Sequence, residues 1–456
     1  MKILMTGATG FVGKNLGKEL VRRGHQLTVI TRNEKQAQLI LPFPCQIITG
    51  DLNRESINNL PQVDAVIHLA GENVGSGRWS EEKKQAILNS RKNLSTNLLH
   101  SLKTQKNLHS FISASAIGFY GDTQNNLVNE NSAVGQDFLS QVCHEWETQI
   151  QKNLSIRTVI LRIGVVLNAF GGAFEKMKLP FELSIAGPLG SGKQWLSWIH
   201  LQDLVSMFVT AVENNNWNGT YNAVASEPVT NKTFTEKICR LLKQNMKPAV
   251  PSIALKTLLG EMAQIVLSSQ KVSNEKILSQ KSTLGFQFKY PDIDSALQDI
   301  TQYMAAGESV FYTEQFLNLP RQTVFDFFAE AKNLEKITPE ILNFKIEKMS
   351  TANIEQGTLI DYKLKVHNVP TGWKTKIESW QPPKVFVDTQ LKGPYRQWHH
   401  THHFEELAGG TLMTDLVRYK LPMGILGKAV AGNFVKNDIE QIFSYRRTAV
   451  LKFLSK

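Results

Sequence analysis

Long apolar runs are missing from this chain of 456 residues. No stretch approaches the roughly 20 consecutive apolar residues that cross a bilayer, so no membrane span is expected. Cysteine is scarce. Cys45, Cys143 and Cys239 lie far apart and form no CxxC pair, which argues against a disulfide framework and a zinc knuckle. The opening MKILMTG lacks a leader pattern with a small-residue cleavage site and goes directly into a short strand and a glycine turn. A cytoplasmic protein is expected. Concentrated basic charge is absent too. The net charge is +11, but residues 1–306 hold 31 Lys and Arg against 24 Asp and Glu, and residues 307–456 hold 20 against 16, with no long basic block. So diffuse an excess suits anionic small molecules and gives no reason to expect nucleic acid.

What is present is enough chain for two or three domains. The segment KILMTGATGFVGKNLGKELVRRGHQLTVITRN, residues 2–33, reads as strand, glycine turn, amphipathic helix and second strand. Gly7, Gly10 and Gly13 are spaced GxxGxxG at the end of the first strand. Glycines there let the backbone approach a pyrophosphate, and the amides of the following helix receive its charge. The second strand ends Thr31-Arg32-Asn33. No carboxylate is available for a ribose 2′-hydroxyl, whereas Arg32 can pair with a 2′-phosphate. NADP is therefore expected rather than NAD.

Further strands end in CQIITGDLN, DAVIHLAGEN and LHSFISASAIGFYG, followed by IRTVILRIGVVL and WLSWIHLQDLVSMFVTAV. Through these segments, residues 1 to about 300 resemble the extended short-chain dehydrogenase/reductase superfamily. Within it they resemble the atypical "epimerase family protein" group, which is nucleoside-diphosphate-sugar epimerase-like. The resemblance rests on GATGFVG at 7–13, GDL at 50–52, HLAGEN at 68–73, GRWSEEKKQAILNSR at 77–91, SASAIGFYG at 113–121, VCHEWE at 142–147 and WIHLQDL at 198–204. It implies a doubly wound Rossmann sheet with a small substrate domain. It also implies cofactor contacts at Gly7, Gly10, Phe11, Val12, Gly13, Asp51, Leu52, Ala70 and Gly71, and a substrate-oxygen contact at Ser115.

The superfamily's tyrosine four residues ahead of a lysine does not carry over. In residues 1–306 the tyrosines are Tyr120, Tyr221, Tyr290 and Tyr303, and their i+4 neighbours are Gln124, Ala225, Asp294 and Gly307. The tyrosine moves a proton at the substrate oxygen, and the lysine lowers its pKa. In DFLSQVCHEWETQI, residues 137–150, the corresponding positions offer Cys143 and Glu147, one helical turn apart. A thiol can exchange a proton or simply pack. A glutamate beside it raises the thiol pKa, the opposite of a lysine's effect, or pairs with a basic neighbour. Tyr120 follows the Ser115 strand and is the better candidate proton donor. The candidate catalytic set is thus Ser115, Tyr120 and Cys143. GPLGSGKQ at 187–194 nearly matches a P-loop, but Gln194 replaces the required hydroxyl and no helix is expected after it, so it reads as a glycine-rich loop over the substrate cleft.

The pattern changes near residue 305. FYTEQFLNLP reads as a strand, RQTVFDFFAEAKNLEKITP as a helix, then come several alternating strands and a long helix from about Lys428 to Phe453. This order resembles the SRPBCC superfamily, the START and Bet v 1-like helix-grip fold, over 307–456. Such folds enclose an apolar cavity. Trp373, Trp380, Phe386, Tyr395 and Trp398 are candidates to line it or to form ordinary core. In WHHTHHF, residues 398–404, His400 and His402 share one strand face, but no third ligand is identifiable and no metal is expected.

The sequence thus supports an α/β Rossmann domain over 1–304 followed by an α+β helix-grip domain over 307–456. Two functions stay open. One is an NADP-dependent oxidoreductase or epimerase acting on a small carbonyl or hydroxyl compound. The other is a non-catalytic NADP-binding sensor or scaffold whose C-terminal domain takes an apolar ligand.

Overall fold

The computed structural model describes residues 1–454. By internal contacts the chain forms two compact units. The first holds Met1–Ala37, Cys45–Phe181 and Ile185–Gln302; the second holds the chain from Tyr303 onward together with Gln38–Pro44 and Glu182–Ser184.

The first unit is built on a seven-stranded sheet. Its strands are β1 (Lys2–Thr6), β2 (Gln26–Thr31), β3 (Gln46–Thr49), β4 (Ala65–His68), β5 (Ser110–Ala116), β6 (Arg157–Ile163) and β7 (Gly219–Ala223). Their spatial order is β7-β6-β5-β4-β1-β2-β3, and every pair is parallel. A parallel sheet covered on both faces needs apolar side chains on both, and Ile3, Leu4, Met5, Val66, Ile67, Phe111 and Ile112 are fully buried. The chain adds strands on one side of β1, then returns to add β4 on the other. The crevice beyond the carboxyl ends of β1 and β4 is the switch point where such folds hold ligands.

Helix α1 (Phe11–Arg22) leaves β1 through the glycine turn. It is closed by Arg22 in its last turn and by the Gly24 bend behind it. Helix α2 (Glu81–Ser101) begins at Ser80, whose side chain accepts from the Lys83 amide. Helix α3 (Phe138–Asn153) begins at Asp137, whose carboxylate accepts from the Ser140 amide. The glycine-rich loop at 187–194 is followed by the short strand Trp195–Leu196, not by a helix.

The second unit has strands β8 (Glu308–Leu317), β9 (Lys345–Met349), β10 (Leu359–Val366), β11 (Val369–Gln381), β12 (Val385–Lys392), β13 (Gln397–Leu407) and β14 (Gly410–Lys420). They form one antiparallel sheet in the order β8-β14-β13-β12-β11-β10-β9. Helix α4 (Ile425–Leu454) closes the chain. Its Ala449 and Val450 pack with Phe325, Phe386, Phe404 and Met413, and its Ile439 and Phe443 pack with Val417, Tyr419 and Leu421. A sheet curled around a long helix is the helix-grip arrangement read from the sequence. Among the described residues, no helix is long and apolar enough to cross a membrane.

Candidate functional site

The glycine turn sits at the switch point. Gly7 has φ +73°, and a methyl group on it would stand 2.7 Å from the Leu69 carbonyl carbon and 2.8 Å from the Ala70 amide nitrogen. The two strand ends thus cross with no room for a side chain. A methyl on Gly13 would fall 2.2 Å from the Gly7 carbonyl oxygen, so this glycine sets the closeness of helix to strand. Gly10 caps α1 without a side-chain hydrogen bond, so no side chain competes there for the first-turn amides. Phe11 and Val12 open the helix. The Phe11 ring fills the space that a side chain at Gly171 would occupy.

Beside the turn, Ala70 and Gly71 follow β4. The guanidinium of Arg91 lies 3.1 Å from where a Gly71 methyl would be. Arg91 donates to the carbonyls of Glu72 and Ile87, and its cation faces the Trp146 ring at 5.2 Å. His68, at the end of β4, is wholly buried between the Thr6 hydroxyl at 2.7 Å and the Ser95 hydroxyl at 3.1 Å. Burial, assisted by the Arg91 charge, pushes its pKa down to about 3. Asp51 accepts from the Asn53 amide, and Leu52 is buried with its carbonyl accepting from Asn97. Arg32 lies exposed just beyond β2, with no ion-pair partner among the described residues.

Two of the three candidate catalytic residues share one hydrogen-bond network, and the third packs beside it. Ser115 and Tyr120 join one buried network. The Ser115 hydroxyl donates to Glu147 Oε1 at 2.6 Å. Arg162 grips the same carboxylate with two bonds, 2.9 Å to Oε1 and 2.8 Å to Oε2. Its third nitrogen donates to the Tyr120 hydroxyl at 2.9 Å, and Tyr120 donates to Asn222 Oδ1 at 2.7 Å. Ser115, Arg162 and Asn222 are register partners on β5, β6 and β7, so they form one row across three strands near their carboxyl ends. Cys143 adjoins this network without being hydrogen-bonded into it. It packs with Ile117, Phe119, Tyr120, Val224 and Val272, and burial pushes its pKa up to about 12.

The electrostatics follow from this row. A short-chain reductase's lysine is a lone cation beside the tyrosine. Here the cation beside Tyr120 is Arg162, reaching over from β6, and Glu147 neutralises it. Arg162 also stacks on the Phe119 ring at 3.4 Å. Burial raises the Tyr120 phenol to about 12, and Arg162 and the Asn222 hydrogen bond offset only part of that. Glu147, expected either to act on the thiol or to pair with a base, forms that pair. Arg162 and Asn222 were not among the sequence candidates. The one signal for Arg162 was an arginine inside the apolar run VILRIGVV.

In the second unit the sheet and α4 enclose a cavity of about 1100 Å³. Trp373, Phe386, Tyr395 and Trp398 line it, whereas Trp380 packs against Phe325 with ring centroids 5.1 Å apart. Met423, Leu426, Val430 and Phe434 line it while being exposed, which makes its mouth apolar.

Comparison with known proteins gives the family. Residues 3–223 match the NAD dependent epimerase/dehydratase family, residues 250–300 a domain of unknown function, and residues 317–443 the family described as polyketide cyclase / dehydrase and lipid transport. The Arabidopsis thaliana epimerase family protein SDR39U1 homolog, chloroplastic, is 38% identical over 309 residues, covering 66% of this chain and 87% of the relative. The Bacillus subtilis epimerase family protein YfhF is 36% identical over 304 residues, covering 66% of this chain and 98% of the relative. A crystal structure of the human epimerase family protein SDR39U1 with NADPH aligns with TM-score 0.60 and 31% identity over 66% of this chain and 99% of that one. About a third of the chain thus lies outside these relatives. From identity sustained over nearly the whole length of such proteins, the chain belongs to the NAD dependent epimerase/dehydratase family, in its group of epimerase family proteins.

Proposed function

We propose that the first domain, residues 1–304, is an NADPH-dependent oxidoreductase or epimerase acting on a small carbonyl or hydroxyl compound in the cytoplasm. The observation that carries this reading is the row Ser115–Arg162–Asn222 with Tyr120, which sets the Tyr120 hydroxyl on the Arg162 cation and the Ser115 hydroxyl on the carboxylate that cation holds, near the carboxyl ends of the strands. The glycine turn and uncapped α1 would take the pyrophosphate, and Arg32 the 2′-phosphate. The human relative crystallised with NADPH supports the cofactor. Ser115 would accept from a substrate hydroxyl through its remaining lone pairs, and would hold a carbonyl oxygen only by turning its proton from Glu147. Tyr120 would exchange the proton, with Arg162 supplying the cation that the usual lysine supplies.

A specific observation favours the second reading, an NADPH-binding sensor. The Ser115 proton is committed to Glu147 and the Tyr120 proton to Asn222, so neither is free in the resting site. One experiment separates the two. The purified chain is given 4-deuterated NADPH and a panel of small aldehydes, ketones and nucleotide-sugars, and deuterium transfer is read by mass spectrometry. Transfer that Tyr120→Phe and Ser115→Ala each reduce at least 100-fold supports the enzyme. NADPH binding with no transfer to any member supports the sensor. In either case residues 307–456 would hold an apolar ligand in their cavity.

A further inference from the structure

The wall of the C-terminal cavity is mostly apolar, but three side chains able to ligate a metal stand together in it. His400 and His402 project from one face of β13, as the alternation of a strand requires. Asp388 of β12 is the register partner of His400 and supplies the third ligand that the pair lacks within its own strand. Asp388 Oδ2 is 3.0 Å from His402 Nε2 and 3.4 Å from His400 Nδ1. The three residues offer ligand atoms within 4.8 Å of one another. Metal bonds of about 2.0–2.2 Å at a tetrahedral angle set ligand atoms about 3.3–3.6 Å apart. The spacing therefore suits an ion between them.

Behind the two rings lies a second carboxylate. Asp415 of β14 does not line the cavity, and its Oδ1 is 2.8 Å from His400 Nε2 and 3.0 Å from His402 Nδ1. Each ring thus lies between the two carboxylates, with one nitrogen toward each. An ionised carboxylate only accepts, so Asp415 holds the ring protons on its own side. His400 Nδ1 and His402 Nε2 are then the lone-pair nitrogens on the side of Asp388. A carboxylate behind ligating histidines fixes their tautomer and orientation. Packing holds the rings as well. Phe386 stacks on His402 at 4.0 Å, and Phe443 meets His400 edge-on at 5.5 Å. The two imidazoles lean together, with centroids 3.7 Å apart and planes inclined by 39°. Rotation about Cβ–Cγ, which is soft in histidine, brings both lone pairs to one ion.

We propose that Asp388, His400 and His402 form a transition-metal site in the wall of the C-terminal cavity, with Asp415 as a positioning residue and an open position that takes the oxygen-bearing head of an apolar ligand. Three protein ligands leave one position free, as in working metal sites and unlike closed structural ones. Two imidazoles and one carboxylate suit a borderline ion such as Zn²⁺ or Fe²⁺, whereas Ca²⁺ and Mg²⁺ prefer oxygen ligands. Arg446 lines the cavity and its charge is felt at Asp388, so the nitrogen ligands and not surplus negative charge select the ion. On binding, the ion displaces the proton between His402 Nε2 and Asp388 Oδ2, and that proton leaves to solvent. A buried ionic cluster adds little stability over apolar side chains of the same volume. Its place in an apolar wall is explained by a ligand. The open position rests on the reading of this cavity as the site of an apolar molecule; the three metal ligands do not.

The test uses the full chain, stripped with a chelator and titrated with Co²⁺ and Zn²⁺. One ion per chain is expected, with the visible absorption of low-coordinate Co²⁺ and its loss when Zn²⁺ displaces it. His402→Ala and Asp388→Asn should each weaken binding more than about 100-fold, and Asp415→Asn about 10–100-fold with the Co²⁺ band retained. His399→Gln and His403→Gln, on the opposite strand face, should change nothing. If the ligand variants fail to fold, X-ray absorption at the zinc edge of the wild type decides: two imidazoles with oxygen at about 2.0–2.2 Å support the site, and any other number of imidazoles overturns it. Absence of binding overturns it, as does binding that only His399→Gln or His403→Gln removes. Octanohydroxamate, a chelating head on an apolar chain, should shift the Co²⁺ band at lower concentration than acetohydroxamate. No shift with either overturns the open position. Equal potency of the two overturns the apolar-ligand reading and leaves the metal site standing.

Discussion

Replacing Arg162 with methionine keeps most of the volume and removes the cation that holds the first site together. The Glu147 carboxylate, 3% exposed, would lose both of its arginine bonds and keep only the Ser115 hydroxyl. Truncating one partner of a buried ion pair costs about 3–5 kcal/mol, because the other charge stays behind without compensation. Loss of the contact with the Phe119 ring acts in the same direction. The double replacement Glu147→Met with Arg162→Met strands no charge. It should therefore be more stable than Arg162→Met alone, with a coupling of about 2 kcal/mol or more. The chain has two units, so a single unfolding midpoint would mix them. Native-state hydrogen exchange at the amides of β5, β6 and β7 reads the first unit by itself. If Arg162→Met costs under about 1 kcal/mol, or the two single costs simply add, the pair is not the keystone described and water reaches Glu147.

Gly7→Ala should abolish NADPH binding, because the new methyl would meet backbone at 2.7 Å in a left-handed conformation; fluorescence titration checks it, and normal affinity would refute the crossing. Arg32→Asp should weaken NADPH and improve NADH, whereas equal affinity of the wild type for both cofactors would remove Arg32 from the site. His68, lowered in the fold from 6.5 to about 3, binds its proton more weakly than in the unfolded chain. Its contribution is complete above about pH 6.5 and is lost as pH falls towards 3, reaching about 2 kcal/mol by pH 5. His68→Gln should flatten the acid limb of the first unit's stability, and parallel profiles for variant and wild type would refute this. Cys143→Ser should leave NADPH binding and any turnover nearly unchanged, because its thiol packs in an apolar cluster; a dead variant with normal cofactor binding would return Cys143 to the chemistry.

The features legible in the sequence were those fixed within a few residues. Gly7, Gly10 and Gly13 announce a turn because strand, turn and helix adjoin, and the period of two along WHHTHHF correctly put His400 and His402 on one face. What stayed hidden is set by register between distant strands. Arg162 meets Ser115 from 47 positions away in the chain and Asn222 from 60. Asp388 and Asp415 flank the histidines only because β12 and β14 border β13. The Cys143 candidacy came from its place on the helix. Helical position gives the face a residue presents but not what already occupies that face, and there Cys143 meets Ile117, Val224 and Val272 as well as Tyr120.

The pairing of Arg162 with Glu147 bears on the redox poise of the proposed cofactor site. A nicotinamide ring gains a positive charge when it is oxidised. A lone lysine cation nearby would disfavour that form and bias binding towards the reduced cofactor. A closed zwitterion has no net charge, and its field falls off over a short distance. The protein should then hold oxidised and reduced cofactor with similar strength, so the form that occupies it would follow the cellular ratio of the two and not a preference built into the site.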